Sequence, residues 1–268
     1  MRDNDPKQFW DQIKKLSPQR KRKFPTECYN DAGEVTSNSD TLKHTWERDF
    51  SLLYNPAIND AFDADFKAHT LTHKQHLERN MLDPLYLSNV SLNYQITEEE
   101  IRKVVTKAKA GKSCGIDELP YEVLKFDRII KVLHQMFMLF FESGIIPSIW
   151  RKAIISPILK DSSSDPLLSL NYRGISLLSV VAKIYSSVLN NRLVTYLDDN
   201  NLLVDEQNGF RSERSCLDHV FTLNSIVKNR NSTFVTFIDL QKAFDMVDRE
   251  LMDFVYLKTE WMDNFTKR

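Results

Sequence analysis

Apolar residues recur at intervals of three and four along much of this chain. The clearest helix start lies at Thr97 and Glu100, a T-x-x-E capping box that precedes an apolar helical face from Ile101 to Ala108. A loop containing two glycines and ending in Pro120 separates this helix from the next one. The same spacing predicts further helices over about 121–143, 176–197 and 217–228, and a weaker one over 41–55.

Two shorter apolar runs have the length of β-strands. One lies between Trp150 and Lys160 and ends on a basic residue, and the other starts at Phe234 and ends where Asp239 follows Ile238. Residues 161–171 and 205–215 are loops by composition, and a last helix is expected to begin near residue 248. Several helices with few strands predict a mixed fold of the α/β or α+β type.

The composition is that of a soluble globular protein. The 268 residues are 42% hydrophobic and 27% charged, which is enough to bury a sizeable core. The most apolar stretch, Val132 to Phe141, is far shorter than the roughly 20 residues that cross a bilayer, so no membrane span is expected. No signal peptide is visible, and three cysteines without C-x-x-C spacing favour a reducing compartment, nuclear or cytoplasmic.

The net charge of −1 is unevenly distributed along the chain. Residues 101–230 hold 18 lysines and arginines against 13 aspartates and glutamates, a net of +5, and the remaining residues hold 18 against 24, a net of −6. A basic middle region permits contacts with phosphate groups but does not by itself require them.

Asp239 is the most informative single residue. It follows an apolar run in which Val235 and Phe237 share its side of the predicted strand. An ionised carboxylate beside such neighbours is costly to desolvate unless it is paired or bound to a metal. From this stretch alone two interpretations stay open, a strand-end or capping residue and a metal ligand.

The stretch from Phe237 to Asp245 resembles F-x-D-x-x-x-A-F-D, the first carboxylate motif of reverse transcriptases, in its non-LTR (LINE-type) retrotransposon form. Four more blocks resemble segments of that family in family order: KAGKSCGIDELPYEVLK, GIIPSIWRKAIISPILKDSSS, NYRGISLLSVVAKIYSSVLNNRL and EQNGFRSERSCLDHVF. The resemblance implies a partial right-hand polymerase with helix-rich fingers and the start of an antiparallel palm sheet. We therefore expect residues 1–95 to be a helical or irregular leader and residues 96–268 to be part of a reverse transcriptase domain.

The resemblance also implies roles for individual residues. Asp239, with the Leu240 carbonyl, would hold two Mg²⁺ ions together with a later aspartate pair, Y-x-D-D; the ions activate the primer 3′-hydroxyl and neutralise the leaving pyrophosphate. Phe244 would stack beneath the sugar of the dNTP and exclude a 2′-hydroxyl. The residues implied to grip the dNTP triphosphate are Lys160 and Arg173, and those implied to contact the template are Gln207, Gly209, Phe210 and Arg211, with Arg214 as a further phosphate contact. One departure is Gly174, where most relatives have proline.

The implied partners are an RNA template, a DNA primer and dNTP, and the oligomeric state is left open. No Y-x-D-D occurs in the 23 residues after Asp245, so we expect a truncated polymerase that does not incorporate dNTP by itself. One alternative is a non-catalytic nucleic-acid-binding remnant of a mobile element that uses the basic middle region. Another is a product without a role, which would be poorly soluble because a lone palm strand leaves an unpaired edge.

Three further patterns have competing interpretations. The sequence YLDD at 196–199 has the letters of an aspartate-pair motif, but Leu189 and Leu193 continue the preceding helix, which favours a helix end over a catalytic hairpin. His69, His73 and His76 would align on a helix, either as a polar face or as metal ligands. The basic run at 20–23 fits a solvated turn, a nuclear import signal or a phosphate tether.

Overall fold

The computed structural model describes residues 25–55, 63–81, 90–230, 232–240, 243–244, 247–248, 251–252 and 254–255. The basic run at 20–23 and Asp245 lie outside these residues. Within them the fold mixes helices with two small antiparallel sheets, which confirms the predicted class. Among the helices of the described ranges, none combines the length and the apolar character needed to cross a bilayer.

The regular elements follow the chain in this order. The helices are α1 (Ser39–Tyr54), α2 (Ala64–Met81), α3 (Val90–Asn93), α4 (Glu98–Lys107), α5 (Asp127–Ser143), α6 (Val180–Asp199) and α7 (Cys216–Lys228). The strands are β1 (Cys28–Tyr29), β2 (Val35–Thr36), β3 (Ala153–Leu159) and β4 (Tyr172–Leu178). Single 3-10 turns occupy Val123–Lys125, Ser148–Arg151 and Ser169–Asn171. Strand β1 pairs with β2, and β3 pairs with β4.

The chain divides into two compact units. The first joins the described residues up to Leu52 with Pro157–Ile175. Its small core is aromatic: the Trp46 ring stacks on Phe50 at 5.6 Å between centroids and meets Tyr172 edge-on at 5.0 Å. The Ser169 hydroxyl donates a hydrogen bond to Asp49, which ties the second segment of this unit to α1.

The second unit joins Leu53–Ser156 with the described residues from Ser176 onward, and its core lies between α4, α5 and α6. Phe137 on α5 is fully buried and meets the rings of Tyr185 and Trp150 edge-on, at 5.1 and 6.2 Å. Helix α5 ends at Gly144, whose φ of 67° is the left-handed conformation that glycine adopts without penalty. The other buried core residues are Ile96, Ile101, Val105, Leu124, Ile130, Leu133, Phe141, Val180, Ile184, Val188 and Leu189. The predicted domain boundary near residue 95 stays a prediction.

Arg192 on α6 is a buried hub of this unit. Its guanidinium donates a fork of two hydrogen bonds to the Glu100 carboxylate, at 2.7 and 2.9 Å. It also donates to the backbone carbonyls of Leu92, Tyr94 and Gln95, at 3.3, 2.6 and 3.0 Å. The Arg192 side chain is 3% exposed, so its charge is stabilised by these partners rather than by water. The hub joins α6 to the segment that leads into α4.

Glu100 serves both the hub and the start of α4. Its carboxylate accepts the backbone N–H of Thr97 at 2.8 Å, and the Thr97 hydroxyl accepts the Glu100 N–H, which confirms the predicted capping box. Burial acts to raise the pKa of Glu100, but the hydrogen bonds from Arg192 and Thr97 outweigh it and hold that pKa below its ordinary value. The carboxylate therefore stays ionised beside Arg192.

Asp117 fixes the start of α6 from 62 residues upstream. Its Oδ2 accepts the Ser179 hydroxyl at 2.7 Å and the Val180 N–H at 2.8 Å, while the Ser179 hydroxyl caps the N–H of Ala182. A carboxylate at a helix N-terminus is favoured by the unpaired N–H groups and by the helix dipole. Gly115 permits this approach, since a Cβ built on it would lie 2.0 Å from the Leu178 carbonyl oxygen.

Two sequence predictions are wrong in detail here. The helix predicted from residue 176 begins only at Val180, because residues up to Leu178 form β4 and Asp117 places the helix start after Ser179. The helix predicted from about residue 121 begins at Asp127, behind a 3-10 turn at Val123–Lys125.

The strand predicted over 234–238 is absent among residues 232–240, which carry no regular structure. Phe234, Phe237 and Ile238 are 100%, 84% and 86% exposed. A strand needs a neighbour to receive its backbone hydrogen bonds, and the described residues provide none for this run. The apolar side chains on which the strand prediction was based are therefore exposed to solvent instead of buried.

The close approach of Gly115 to Leu178 yields a stability prediction. Gly115→Ala should lower the free energy of unfolding by about 1–3 kcal/mol, because the added methyl group must push the start of α6 away from the loop. Urea unfolding followed by circular dichroism measures this loss. Gly209→Ala is the matched control, since its new Cβ would meet nothing closer than 3.6 Å and should change stability little. Equal losses in the two variants would contradict this packing.

Candidate functional site

Lys160 and Arg173 lie at the same end of the β3–β4 sheet. The Lys160 backbone N–H donates to the Asn171 carbonyl at 2.9 Å, which places Lys160 opposite a residue two positions before Arg173. The Lys160 ammonium donates to the Leu170 carbonyl at 2.6 Å, and both basic side chains are exposed. The structure therefore brings this predicted pair together, as a point charge beside a planar guanidinium, a combination suited to phosphate oxygens.

Residues 207–211 form an exposed turn after α6. The Gln207 side-chain amide donates to the Gly209 carbonyl at 3.1 Å, which closes the turn. Phe210 follows with φ of 62°, a left-handed conformation that is strained for a bulky residue, yet its side chain is 92% exposed. No burial of the ring offsets this strain, and strained, exposed residues are frequent at binding sites.

Phe210 meets the other predicted aromatic residue, Phe244. Their rings lie edge-on with centroids 6.1 Å apart, and the Phe244 side chain is 79% exposed. The structure thus joins the predicted template block to the residue predicted to contact the dNTP sugar. Exposed aromatic faces are the usual platforms on which nucleic-acid bases stack.

Arg211 and Arg214 have carboxylate partners within the chain. Arg211 donates to the Val204 carbonyl at 3.1 Å and lies 3.5 Å from an Asp198 oxygen, and Arg214 lies 3.1 Å from Asp205. These contacts anchor the turn to the end of α6. The template contact predicted for Arg211 stays a prediction.

The YLDD sequence ends a helix, as predicted. Helix α6 runs to Asp199, and Asn201, with φ of 53°, follows it in the left-handed conformation typical of a helix C-terminus. The Leu202 N–H returns to the Leu197 carbonyl at 2.9 Å, which closes the end. The alternative of a catalytic hairpin at this position is wrong.

Asp239 and Leu240 are both exposed and lie in the segment without regular structure. Across the part of the chain that the structure describes, no three His, Cys, Asp or Glu side chains are close enough to hold a metal ion together. This includes His69, His73 and His76, which do lie on a helix, α2, and of which His73 packs against the Phe254 ring at 5.3 Å. The metal-ligand role of Asp239 stays a prediction.

Asp117 and Arg192 are the residues that sequence reasoning missed. Both lie inside the family-like blocks and stabilise the helical core: Asp117 caps the start of α6, and Arg192 binds Glu100 of α4. The G-x-D spacing of Gly115 and Asp117 was visible in the sequence, whereas their partner 62 residues away was not.

Comparison with known proteins gives a family match in the C-terminal part of the chain. Residues 158–262 match the family model described as reverse transcriptase (RNA-dependent DNA polymerase), a range that contains every predicted site residue. Residues 158–262 are thus similar to part of a reverse transcriptase domain, and the predicted resemblance to the non-LTR retrotransposon enzymes is confirmed.

Relatives named for mobile elements of Drosophila melanogaster extend the similarity. One, named "Probable RNA-directed DNA polymerase from transposon BS", is 26% identical over 245 residues, 89% of this chain and 26% of the relative. Another, named RNA-directed DNA polymerase from mobile element jockey, is 28% identical over 159 residues, 57% of this chain and 17% of the relative. The chain therefore spans about a quarter or less of the length of these relatives.

The strain at Phe210 yields a prediction that separates binding from stability. Phe210→Gly should leave the midpoint of thermal unfolding unchanged or raise it, because glycine adopts a φ of 62° freely and little buried surface is lost. The same change should weaken binding of a labelled RNA–DNA hybrid several-fold, since a stacking surface is removed. Phe221→Ala on α7, also an exposed phenylalanine, is the control and should leave hybrid binding unchanged. Hybrid binding that is unaffected by Phe210→Gly would contradict a binding role for this ring.

Proposed function

We propose that this chain contributes the fingers and the first palm segment of an RNA-directed DNA polymerase from a retrotransposon. The observation that carries the proposal is the reverse transcriptase match over residues 158–262, which takes in Lys160, Arg173, the 207–211 turn, Asp239 and Phe244. The reaction of such a polymerase is attack of a primer 3′-hydroxyl on the α-phosphorus of a dNTP opposite an RNA template.

The dNTP triphosphate is assigned to the basic end of the β3–β4 sheet. Both side chains are exposed there, and Lys160 lies opposite Asn171, two positions before Arg173, so a ligand can reach both. The ammonium supplies charge, and the guanidinium supplies paired N–H donors in a fixed geometry. Together they would orient the phosphates of the incoming nucleotide.

The template and the sugar are assigned to the aromatic pair. Phe210 presents its ring from the turn at 207–211, and Phe244 lies edge-on to it, so a base stacked on Phe210 would lie near the ring proposed to contact the sugar. The Arg211 contact with Asp198 holds the turn against α6, which fixes the position of the Phe210 backbone. We propose that Gln207, Gly209 and Arg211 contribute template contacts from the same turn.

Divalent metal ions are general in this family, and their chemistry would be to activate the primer hydroxyl and stabilise the leaving pyrophosphate. The residues that we assign to such a site are Asp239 and the carbonyl of Leu240, both exposed. One carboxylate does not fit two ions, because each needs several oxygen ligands. No catalytic step is therefore derived for this chain alone, and we expect that it does not incorporate dNTP by itself.

The excess of basic residues between 101 and 230 favours one further candidate, nucleic-acid binding without catalysis. The polymerase function and binding without catalysis both predict that the chain retains RNA in a salt-dependent way. They differ in whether the segment supports synthesis when placed in a complete polymerase.

A segment exchange tests the proposed function. The aligned 159 residues of the jockey polymerase are replaced by those of this chain, and dNTP incorporation is measured on a primed RNA template with Mg²⁺. The chimaera should incorporate dNTP, Asp239→Asn should reduce incorporation to background, and Phe244→Ala should raise the share of ribonucleotides incorporated. Asp199→Asn, in the YLDD sequence, is the matched control and should retain activity.

Two outcomes would contradict the polymerase proposal. One is a folded chimaera that binds the primed template without incorporating dNTP, which would favour binding without catalysis. The other is incorporation that survives Asp239→Asn. Incorporation by the unaltered chain alone, lost in Asp239→Asn, would instead overturn the expectation that this chain has an incomplete site.

A further inference from the structure

We propose that a groove between α4 and α6 binds the phosphodiester backbone of a nucleic-acid strand, at a site separate from the predicted dNTP and template residues. The groove has a volume of about 340 Å³. Four lysines line it, Lys107, Lys109, Lys112 and Lys183, and none of the lining residues is acidic. This inference rests on the proposed function only in naming the strand as template or primer; the binding of a phosphodiester backbone does not depend on it.

One wall of the groove is a strip along α6. Lys183, Ser187 and Asn191 are spaced by four residues each, so their side chains share one face of that helix. The Ser187 hydroxyl donates to the Lys183 carbonyl at 2.7 Å, which leaves its oxygen able to accept a further hydrogen bond. A cation, a hydroxyl and an amide thus line the same wall.

The opposite wall comes from the end of α4 and the loop after it. Lys107 lies in the last turn of α4, and Lys109 and Lys112 lie in the loop that follows. Glu122 holds this loop by accepting the Gly111 N–H at 2.7 Å, which also lowers the pKa of Glu122. The Glu122 carboxylate is thus engaged with the backbone of this loop, and the Asp117 carboxylate within the loop is engaged with Ser179 and Val180.

Helix stability does not account for this arrangement of lysines. Lys107 at a helix C-terminus is favoured by the dipole, but Lys183 lies in the first turn of α6, where a cation is disfavoured. Lys109 and Lys112 belong to no helix. A helix dipole thus disfavours one of these lysines and does not stabilise two others. The four ammonium groups repel one another unless an anion binds between them.

A second groove shows that surfaces of this core are not uniformly basic. It has a volume of about 350 Å³, shares Asn191 with the lysine groove and lies further along the same two helices, where Glu100 and Asp199 accompany Lys103 and Arg192. Charges of both signs balance there. The lysine groove differs in that four lysines and no acidic residue line it, an excess of positive charge that suits a polyanion.

Lysine side chains are suited to binding the phosphate backbone of a nucleic acid and not to recognising its base sequence. Its ammonium is a flexible point charge that pairs with phosphate oxygens without reading base edges. Tyr121 completes the lining, and burial raises the pKa of its hydroxyl, with the Asp117 charge adding to that effect. The ring therefore stays neutral and can pack against a sugar or donate to a phosphate.

The test measures binding of the whole chain to a labelled single-stranded RNA of mixed sequence by fluorescence anisotropy at several salt concentrations. Lys109→Gln, Lys112→Gln and Lys183→Gln are combined in one variant. The control combines Lys43→Gln, Lys131→Gln and Lys228→Gln, which remove the same charge from residues outside the groove lining. Circular dichroism verifies that both variants are folded.

The groove variant should bind RNA at least about 10-fold more weakly at low salt, and its plot of log K against log salt should lose a slope of about 2, near 0.7 for each phosphate contact removed. The control variant should change both quantities far less. Equal losses in the two variants would overturn the proposal, because they would show an effect of net charge alone. If the triple variant does not fold, the double variant Lys109→Gln with Lys112→Gln is compared with the control variant in RNA affinity and salt slope instead.

A matched DNA strand distinguishes the two sources of backbone. Loss confined to RNA assigns the groove to the template strand, and loss confined to DNA assigns it to the primer strand; either supports the site. Since no dNTP is incorporated in this measurement, failure of the polymerase proposal would leave groove binding intact. Failure of the groove would appear here and leave incorporation by the chimaera unaffected.

Discussion

The second unit depends on one buried ion pair, between Arg192 of α6 and Glu100 of α4. Arg192 donates to three carbonyls that lead into α4 and to the carboxylate that completes the capping box of that helix. The guanidinium also lies 3.8 Å from the centre of the Tyr94 ring. Because both charges lie largely out of water, losing either partner would leave the other uncompensated, which is far more costly than losing an exposed pair. The ion pair therefore fixes the position of α6 relative to α4, and the apolar side chains of α4, α5 and α6 pack around that position.

Asp117 and Gly115 fix the loop after α4 in a similar way, by contacts with residues that are distant in sequence. The loop after α4 supplies a carboxylate to the start of α6, and the glycine in it allows backbone to approach backbone. Two consequences for function follow. The lysines of that loop are held beside the lysine of α6, and the end of α6 in turn anchors the turn that presents Phe210. Helix α7 and residues 232–240 are different, since their apolar side chains, such as Phe221 and Phe237, are exposed. Apolar surface of this kind gains stability only when something covers it.

The sequence was most informative where the determinants of structure are local. The capping box at Thr97 and Glu100 and the helix end at YLDD are set by neighbours within one or two turns, and the structure has them as predicted. Prediction failed where the determinant is distant. Strand β4 displaced the predicted start of α6 because β3 pairs with it and because Asp117 caps Val180, and neither partner is close in sequence. Periodicity at 234–238 predicted a strand, but periodicity cannot supply the neighbouring strand on which pairing depends. The family blocks pointed to Lys160, Arg173, Phe210 and Phe244 one by one, and their roles stay predictions. The contact between the two rings and the lysine groove became visible only in the structure.

Hydrogen exchange of the backbone amides tests the central claim, that the Arg192 hub holds this unit as one folded core. In the unaltered chain the amides of α4 and α6 should exchange slowly, and those of 232–240 should exchange near the rate of an unprotected chain. In Arg192→Met, which keeps the volume but leaves Glu100 buried without its partner, exchange in α4 and α6 should accelerate by about 100-fold or more, corresponding to a loss of about 3 kcal/mol. Unchanged protection of α4 and α6 in Arg192→Met would contradict the account.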